Sequence, residues 1–243
     1  MKVKLLLLAL LFLLSGCSRD YTPLPSQKQE DNIWNDSFEY QVHNGEVRIT
    51  NVLIDEETIV IPDEIMNLPV TCIGETACTH KRYCTQIILP DTLKSISDSA
   101  FYRCTNLNQI SIPANVCSIG ENPFFRCSRL TAIMVDEENQ HYSSIDGVLY
   151  DKSASELLAY PEGLQNDHYS VPQSVVSINR SAFGYHTYLH TIYIGSNVTA
   201  LPAENMFAYP DEITLIVEGE TVAAEYAQKH FLNYKIVEGL DPS

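Results

Sequence analysis

Apolar and polar positions follow a pattern in this chain that returns after 23 residues. The stretch ISDSAFYRCTNLNQISIP begins at Ile96, and IGENPFFRCSRLTAIMVD, with the same spacing of apolar residues, begins at Ile119. Each copy has an Ile-x-Ile or Ile-x-Val element near its end, in which alternation places both apolar side chains on one side of a strand. A unit this short cannot bury its own apolar side, so the copies are expected to stack into a solenoid of parallel strands.

Several positions of the repeat form ladders of the same chemistry. The first apolar position recurs at Ile73, Ile96, Ile119, Ile178 and Leu201. The aromatic position is occupied by Cys78, Phe101, Phe124, Phe183 and Met206. The leucine position is occupied by Cys84, Leu107, Leu130, Leu189 and then Glu212, where the pattern decays. Each ladder residue is expected to pack on its copy in the next coil.

One interval between strand elements is longer than the others and points to an irregular coil. From Val135 to Val171 the spacing is 36 residues. Asp146-Gly147 predicts a turn, and short strands are predicted at 148–150 and 157–160. Residues 136–170 are therefore expected to hold part of an extra coil.

The two ends of the repeat region carry other patterns. Residues 38–42 alternate, Asn44-Gly45 is a strong two-residue turn, and 46–49 supply the returning strand, so a β-hairpin is predicted to cap the first coil. Apolar residues at helical spacing predict a closing helix over 221–231, followed by a strand at 234–237.

The repeat motifs resemble those of the BspA-like leucine-rich-repeat family. The matching segments are AFYRCTNLNQISIP, SAFGYHTYLHTIYIG, DGVLYD, AYPEG and VAAEYAQKHFLNYKIV, within residues 38–237. This resemblance implies a leucine-rich-repeat solenoid, with a curved parallel sheet of short stacked strands, irregular returns, an N-terminal hairpin cap and a C-terminal helix. It also implies adhesion to proteins of a host or of neighbouring cells.

The first residues form an export segment rather than part of the fold. Two lysines precede a nearly unbroken apolar run over 5–14, too short to span a bilayer, so residues 1–16 are interpreted as a signal peptide. Leu14-Ser15-Gly16-Cys17 resembles the bacterial lipobox, which implies a lipid on Cys17; the alternative is a secretory signal with a chance cysteine. By the same resemblance Ser18 favours the outer membrane, with cell-surface or periplasmic orientation left open.

The remaining chain divides into a linker and one repeat domain. Residues 17–35 are proline-containing and polar and are predicted to be a tether, and 36–240 form the leucine-rich-repeat domain with a C-terminal cap over 219–240. Apolar residues make up 45% of the chain, enough to bury a core. The net charge of −16 disfavours binding to nucleic acid or to an anionic bilayer through a basic patch.

No residue pattern indicates catalysis, a cofactor or a metal. Cys104 and Cys127 share one ladder position, which favours buried thiols over a disulfide between them. His186 and His190 lack the glutamate of a zinc motif, and the acidic run 136–138 with Asp146 does not match a calcium loop. The chain is therefore predicted to be a binding protein rather than an enzyme.

The residue between the two apolar members of each strand is predicted to face away from the core. These middle residues, the candidate binding face, are Val60, Ile88, Ser111, Met134, Ser170, Tyr193 and Ile216, with Asn108 and Gln109 beside them. Most are apolar or aromatic, as in a protein-binding surface. Alternatively they satisfy strand propensity, or a second copy or the tether covers them.

Two observations bear on sugars. Ten of the fourteen tyrosines lie between Tyr142 and Tyr234, and tyrosine suits glycan as well as protein recognition. A glycan-binding accessory of an outer-membrane uptake system is thus one alternative to protein binding, and a structural envelope protein is another. The segments around Thr92 and Ser99 also resemble a bacterial O-glycosylation acceptor pattern.

Overall fold

The computed structural model describes residues 33–186 and 188–239. The predicted signal peptide, Cys17 and most of the predicted tether lie outside these residues. The described chain forms a β-solenoid of about eight turns with one helix. No helix in this part of the chain is long and apolar enough to cross a membrane.

Most strands are only two to five residues long. In chain order they are β1 (Ile33–Trp34), β2 (Phe38–His43), β3 (Glu46–Val52), β4 (Thr58–Val60), β5 (Glu64–Ile65), β6 (Leu68–Ile73), β7 (Gln86–Ile88), β8 (Ser95–Ile96), β9 (Gln109–Ile112), β10 (Ser118–Ile119), β11 (Ala132–Val135), β12 (Tyr142–Ile145), β13 (Val148–Asp151), β14 (Glu156–Ala159), β15 (His168–Ser170), β16 (Ser177–Ile178), β17 (Thr191–Ile194), β18 (Thr214–Glu218) and β19 (Asn233–Val237). The helix is α1 (Val222–Lys229), and Pro210–Glu212 form a 3-10 turn. The four sheets have the orders β1-β2-β3-β6-β8-β10 with β5 on β6, β4-β7-β9-β11, β12-β13-β14-β16 and β15-β17-β18-β19.

The stacking predicted from the repeat is confirmed. Strands β4, β7, β9 and β11 pair in parallel, with Ile59 opposite Ile87 and Ile110 opposite Ile133. These four isoleucine side chains are at most 3% exposed. Each of these isoleucines therefore packs against the equivalent isoleucine of the neighbouring coil.

The aromatic ladder fills the turn side of the core. The rings of Phe101 and Phe124 lie 5.5 Å apart and are nearly parallel, at 9°. Cys78 occupies the same position one coil earlier and is fully buried. The amide of Phe101 donates to the carbonyl of Pro123, and that of Cys78 to Ala100, so the turns are also joined by hydrogen bonds.

In the last coil the ladder positions differ from those predicted. The ring of Phe207 lies 5.6 Å from that of Phe183, 24 residues earlier, and Met206, the predicted ladder residue, is buried as well. Likewise Ile213 is 3% exposed where Glu212 was aligned, and Glu212 is exposed. The core positions are displaced by one residue through Ile213, and from Thr214 onward β18 pairs with β17 at the 23-residue spacing again.

The N-terminal hairpin is present as predicted. Strands β2 and β3 pair antiparallel around Asn44 and Gly45, whose φ angles of 51° and 80° suit the two-residue turn. Strand β3 then pairs in parallel with β6, with Ile49 opposite Ile73. The hairpin thus covers the first coil, because β3 extends the sheet formed by β6, β8 and β10.

The long interval forms a three-stranded insertion. Strands β12, β13 and β14 are antiparallel, and β14 pairs in parallel with β16, which returns the chain to the solenoid. The amide of Ile133 donates to the carbonyl of Gly147 at 2.8 Å, so the hairpin turn lies against β11. The two predicted strands are confirmed, and β12 is an additional strand.

The C-terminal helix and the strand after it are also confirmed. Helix α1 buries Ala223, Ala224, Tyr226 and Ala227. The Tyr226 hydroxyl donates to the carbonyl of Glu204 at 3.0 Å and accepts the amide of Met206 at 2.8 Å. Strand β19 pairs in parallel with β18.

Candidate functional site

Four of the predicted face residues lie together on the outer surface of the β4-β7-β9-β11 sheet. We call Val60, Ile88, Ser111 and Met134 the N-terminal face. Val60 lies opposite Ile88 and Ser111 opposite Met134, and Gln86 opposite Gln109 places Ile88 beside Ser111. The apolar members are 55%, 43% and 46% exposed for Val60, Ile88 and Met134. The buried side chains of these strands point to the opposite side of the sheet, so the described part of the domain leaves Val60, Ile88 and Met134 exposed.

A groove of about 460 Å³ runs over this face. Its lining includes Ile88, Asp91, Gln109, Ser111, Met134 and Asp136. The floor is formed by the apolar side chains with the hydroxyl of Ser111 between them. Carboxylates lie at the end of the strands, where the chain turns away from the sheet.

The other three predicted face residues form a separate surface. Ser170, Tyr193 and Ile216 are in register on the outer side of the β15-β17-β18-β19 sheet, which we call the C-terminal face. Tyr193 and Ile216 are half-buried, and the ring of His168 packs edge-on to Tyr193 at 6.4 Å. Because the insertion lies against β11, the seven residues do not form one continuous stripe.

Asn108 and Gln109 lie at the edge of the N-terminal face, and both side chains are exposed. The carbonyl of Asn108 accepts the amide of Thr131 at 2.8 Å and its hydroxyl at 3.0 Å. The backbone here is thus tied to the next coil while the two amide side chains face solvent. They provide polar groups beside the apolar floor.

Four of the five cysteines that the structure describes as free are core residues, and the fifth, Cys72, is half-buried. Cys104 and Cys127 are fully buried, and their thiols donate to the carbonyls of Cys78 and Phe101 at 2.9 and 3.1 Å. Burial raises the pKa of the Cys127 thiol well above its usual value, and that of Cys84 to about 11. The expectation of buried thiols rather than a Cys104–Cys127 disulfide is confirmed.

The two histidines flagged by their spacing have different environments. His186 is 8% exposed, packs edge-on against Tyr160 and Phe183, and has its pKa lowered to about 4 by burial. His190 is exposed and pairs with Asp167 at 3.0 Å. Across residues 33–186 and 188–239, no three His, Cys, Asp or Glu side chains are grouped to hold a metal ion.

Tyrosines of the insertion serve packing. Tyr150 and Tyr160 are 1% and 4% exposed, and the Tyr150 hydroxyl is hydrogen-bonded to that of Tyr169. The hydroxyl of Tyr142 accepts the amide of Ile119 at 2.9 Å. The rings of Tyr150 and Tyr160 are therefore not available to stack on a sugar.

Thr92, one of the two residues in a glycosylation-like pattern, has its hydroxyl engaged. It donates to the carbonyls of Asp63 at 3.1 Å and Val70 at 2.8 Å. Attachment of a sugar would replace the hydroxyl hydrogen that both contacts require. Ser99 is half-buried in a turn with φ of 53°.

One buried carboxyl was not anticipated. Glu162 is 7% exposed, and its Oε1 accepts the amide of Arg126 at 2.8 Å. Its Oε2 has no hydrogen-bond partner among the described residues, and burial raises its pKa to about 7. The sequence shows only that Glu162 stands between Pro161 and Gly163, a pattern that indicates a break after the strand and not burial.

A second aromatic row lies outside the buried ladder. The rings of Tyr102 and Phe125 stack at 5.9 Å, and Tyr185 follows at 5.1 Å from Phe125. The guanidinium of Arg126 lies 4.5 Å from the centre of the Tyr185 ring and donates to its hydroxyl at 2.6 Å. The stacked rings cover one another's faces, so this row braces the turns of successive coils.

The chain is similar to several bacterial leucine-rich-repeat proteins of known structure. A leucine rich cell surface protein from Faecalibacterium prausnitzii is 16% identical; the match covers 88% of this chain and 96% of that one, with a TM-score of 0.46. A leucine-rich repeat protein from Eubacterium ventriosum is 20% identical over 76% of this chain and 67% of that one, at 0.44. A Treponema pallidum leucine rich repeat protein is 16% identical over 87% and 100%, at 0.36. No curated protein matches the chain.

The repeat itself gives the assignment. The model of the BspA type leucine rich repeat region matches in 6 copies, over residues 46–150, 71–214 and 159–231. These segments together cover more than half of the chain and include the ladders described above. The chain therefore belongs to the BspA-type leucine-rich-repeat family.

Proposed function

We propose that this protein is a lipid-anchored binding protein of the bacterial cell envelope that holds a protein ligand of a host or neighbouring cell on its N-terminal face. The proposal gives it no catalytic step, cofactor or metal. The supporting observation is the row of Val60, Ile88 and Met134, which are in register and 43–55% exposed. Adjacent exposed apolar side chains on a solenoid sheet are suited to contact another protein.

The anchor in this proposal is Cys17. From Cys17 to Ile33, where the first strand begins, the chain has 16 residues. Fully extended, such a segment spans about 50 Å. That length holds the solenoid clear of the membrane, and the net charge of −16 keeps it from lying on anionic lipid.

Binders selected from a random-peptide phage library on the full-length protein in detergent would test the proposed face. Their binding should compete with one another and should be lost on Ile88→Glu, which puts a charge on the floor of the groove. Binders that retain their affinity for Ile88→Glu would show that another surface is used. An unchanged melting temperature of the variant is required for either conclusion.

Cell-surface display is tested separately on whole cells. We expect added protease to cleave the protein on intact cells, because adhesion requires exposure. Protection on intact cells, with cleavage after lysis, would place the protein in the periplasm and contradict a role in adhesion.

A further inference from the structure

The groove over the N-terminal face differs in charge from an ordinary apolar groove. Of the residues that line this groove, Asp91 and Asp136 are acidic, and none is Lys, Arg or His. Asp63 lies one coil before Asp91 on the same border, and its Oδ1 accepts the amide of Asp91 at 3.1 Å. The apolar floor is therefore bordered by carboxylates along the ends of its strands.

These carboxylates are available to a ligand. Asp91 and Asp136 are exposed, and neither takes part in an ion pair within the part of the chain described. Asp136 uses Oδ1 to accept the amide of Glu138 at 2.8 Å, which leaves its second oxygen for another donor. Lys152 donates to the carbonyl of Glu137, the residue after Asp136, at 3.3 Å, and among the described residues it forms no ion pair with a groove carboxylate.

The dimensions of the floor suit an extended peptide. Ile88, Ser111 and Met134 line the groove from three neighbouring strands, which at about 4.8 Å per strand span about 10 Å. An extended segment advances about 3.3 Å per residue, so three or four residues cross the floor. Lys and Arg side chains are long enough to reach the carboxylate border while neighbouring residues contact the floor.

We infer that the ligand segment is an extended, cationic peptide in which Lys or Arg alternates with apolar residues. This inference rests on the proposed function and specifies its partner. The apolar residues contact Ile88 and Met134, and the cations pair with Asp91 and Asp136. Nucleic acid and anionic lipid are repelled by the same border, and the groove lining contains no aromatic ring for a sugar to stack on.

Three ten-residue peptides would test the inference against the full-length protein in detergent. One alternates Lys with Val, the second Glu with Val, and the third Lys with Ser, each labelled for fluorescence anisotropy. At 50 mM NaCl the Lys-Val peptide should bind at least about tenfold more tightly than either of the others. The difference from the Glu-Val peptide should shrink at 500 mM NaCl, because salt screens exposed charges.

Matched variants separate the groove from the net charge. Asp91→Asn with Asp136→Asn should weaken Lys-Val binding about fivefold, whereas Glu75→Gln with Glu204→Gln, exposed carboxylates outside the groove lining, should have little effect. The Asn side chain keeps an acceptor for the Glu138 amide, so the fold should be retained.

The outcomes distinguish this inference from the proposed function. Equal loss in both double variants, or equal binding of the Lys-Val and Glu-Val peptides, would overturn the cationic ligand. Equal binding of the Lys-Ser and Lys-Val peptides would overturn the alternation with apolar residues that contact the floor. If Lys-Val fails to bind while library binders still require Ile88, the proposed face stands and the partner chemistry is wrong. If neither the peptides nor the library binders depend on the groove, both are wrong.

Discussion

At the scale of single residues, the position in the coil decides what a side chain does. Phe101 and Phe124 are aromatic ladder residues and are buried, whereas Tyr102 and Phe125, each the next residue in sequence, lie in the outer row. The same alternation sends Ile87 inward and Ile88 outward. Residue type alone would not tell which member of each pair is buried, but its position in the repeat does.

Removal of one ring from the ladder tests the stacked core. Phe101→Ala leaves a cavity between neighbouring coils and should lower the free energy of unfolding by about 3–5 kcal/mol. Chemical denaturation measures this loss, with Tyr83→Ala, whose side chain is 75% exposed, as the control. A loss below about 1 kcal/mol would mean that Phe101 is not packed as described.

Glu162 makes stability depend on pH in a defined direction. Its pKa is about 7 in the folded protein because burial disfavours the carboxylate, against 4.5 as the ordinary value. As pH rises from 4.5 to 7, the unfolded chain releases this proton before the folded one does. Folding stability is therefore lost over that interval, by about 3 kcal/mol for this group.

Glu162→Gln should remove this dependence, because the amide stays neutral and retains an oxygen for the Arg126 amide. The measurement is the denaturation free energy of both proteins at pH 5 and pH 8. We expect the variant to gain stability relative to the native protein at pH 8 and not at pH 5. If the unfolding free energies of the two proteins differ by the same amount at pH 5 and pH 8, Glu162 does not ionise in this range.

Sequence alone reveals some of these residue roles. The outward direction of Val60, Ile88 and Met134 follows from strand alternation, and the structure places them outward. The burial of Glu162 does not follow, because a charged residue between proline and glycine is typical of an exposed turn. Glu162 is buried because its turn packs closely on the preceding coil, near Arg126 and Arg129. The repeat pattern does not predict this contact.

At the scale of elements, the insertion has the largest effect on the candidate site. Its strands were predictable from Asp146-Gly147 and the short apolar runs. Its position beside β11 was not, because periodicity assigns the two sides of a strand but does not identify its neighbour. The candidate site is consequently two surfaces, and the apolar, exposed one lies before the insertion.

A glycine in the insertion fixes its packing on the preceding coil. A Cβ on Gly163 would lie 2.5 Å from the carbonyl carbon of Arg129 and 2.8 Å from the amide nitrogen of Leu130. Gly163→Ala should therefore separate the turn from that coil and lower the unfolding free energy by about 1–3 kcal/mol. Gly239→Ala, where the nearest atom is 4.0 Å away, is the control for denaturation. Equal stability of both variants would contradict the close approach.

The last coil shows a limit of the repeat alignment. A strict 23-residue spacing aligns Met206 and Glu212 with ladder positions, but Phe207 and Ile213 occupy the core. The strand residues Leu215 and Val217 nevertheless keep their register with β17. One residue is gained before the aromatic position and lost again between Ile213 and Thr214, and these two compensating changes leave the overall period intact.

At the scale of the whole molecule, the solenoid separates stability from recognition. The inner sides of the strands form the core, and the outer sides of β4, β7, β9 and β11 carry the N-terminal face. A charge placed on that outer side should affect binding without unfolding the domain. The proposed anchor precedes the same end of the solenoid, and a tether with a reach of up to about 50 Å would allow this face to lie clear of the membrane.

The most direct test of the account is the ratio of dissociation constants of the library-selected binders for Met134→Glu and Val176→Glu. Both residues are 46% exposed, but only Met134 lies on the N-terminal face. We predict binding at least about tenfold weaker for Met134→Glu, affinity for Val176→Glu close to that of the native protein, and native melting temperatures for both. Equal affinities for the two variants would contradict the assignment of the N-terminal face as the binding surface.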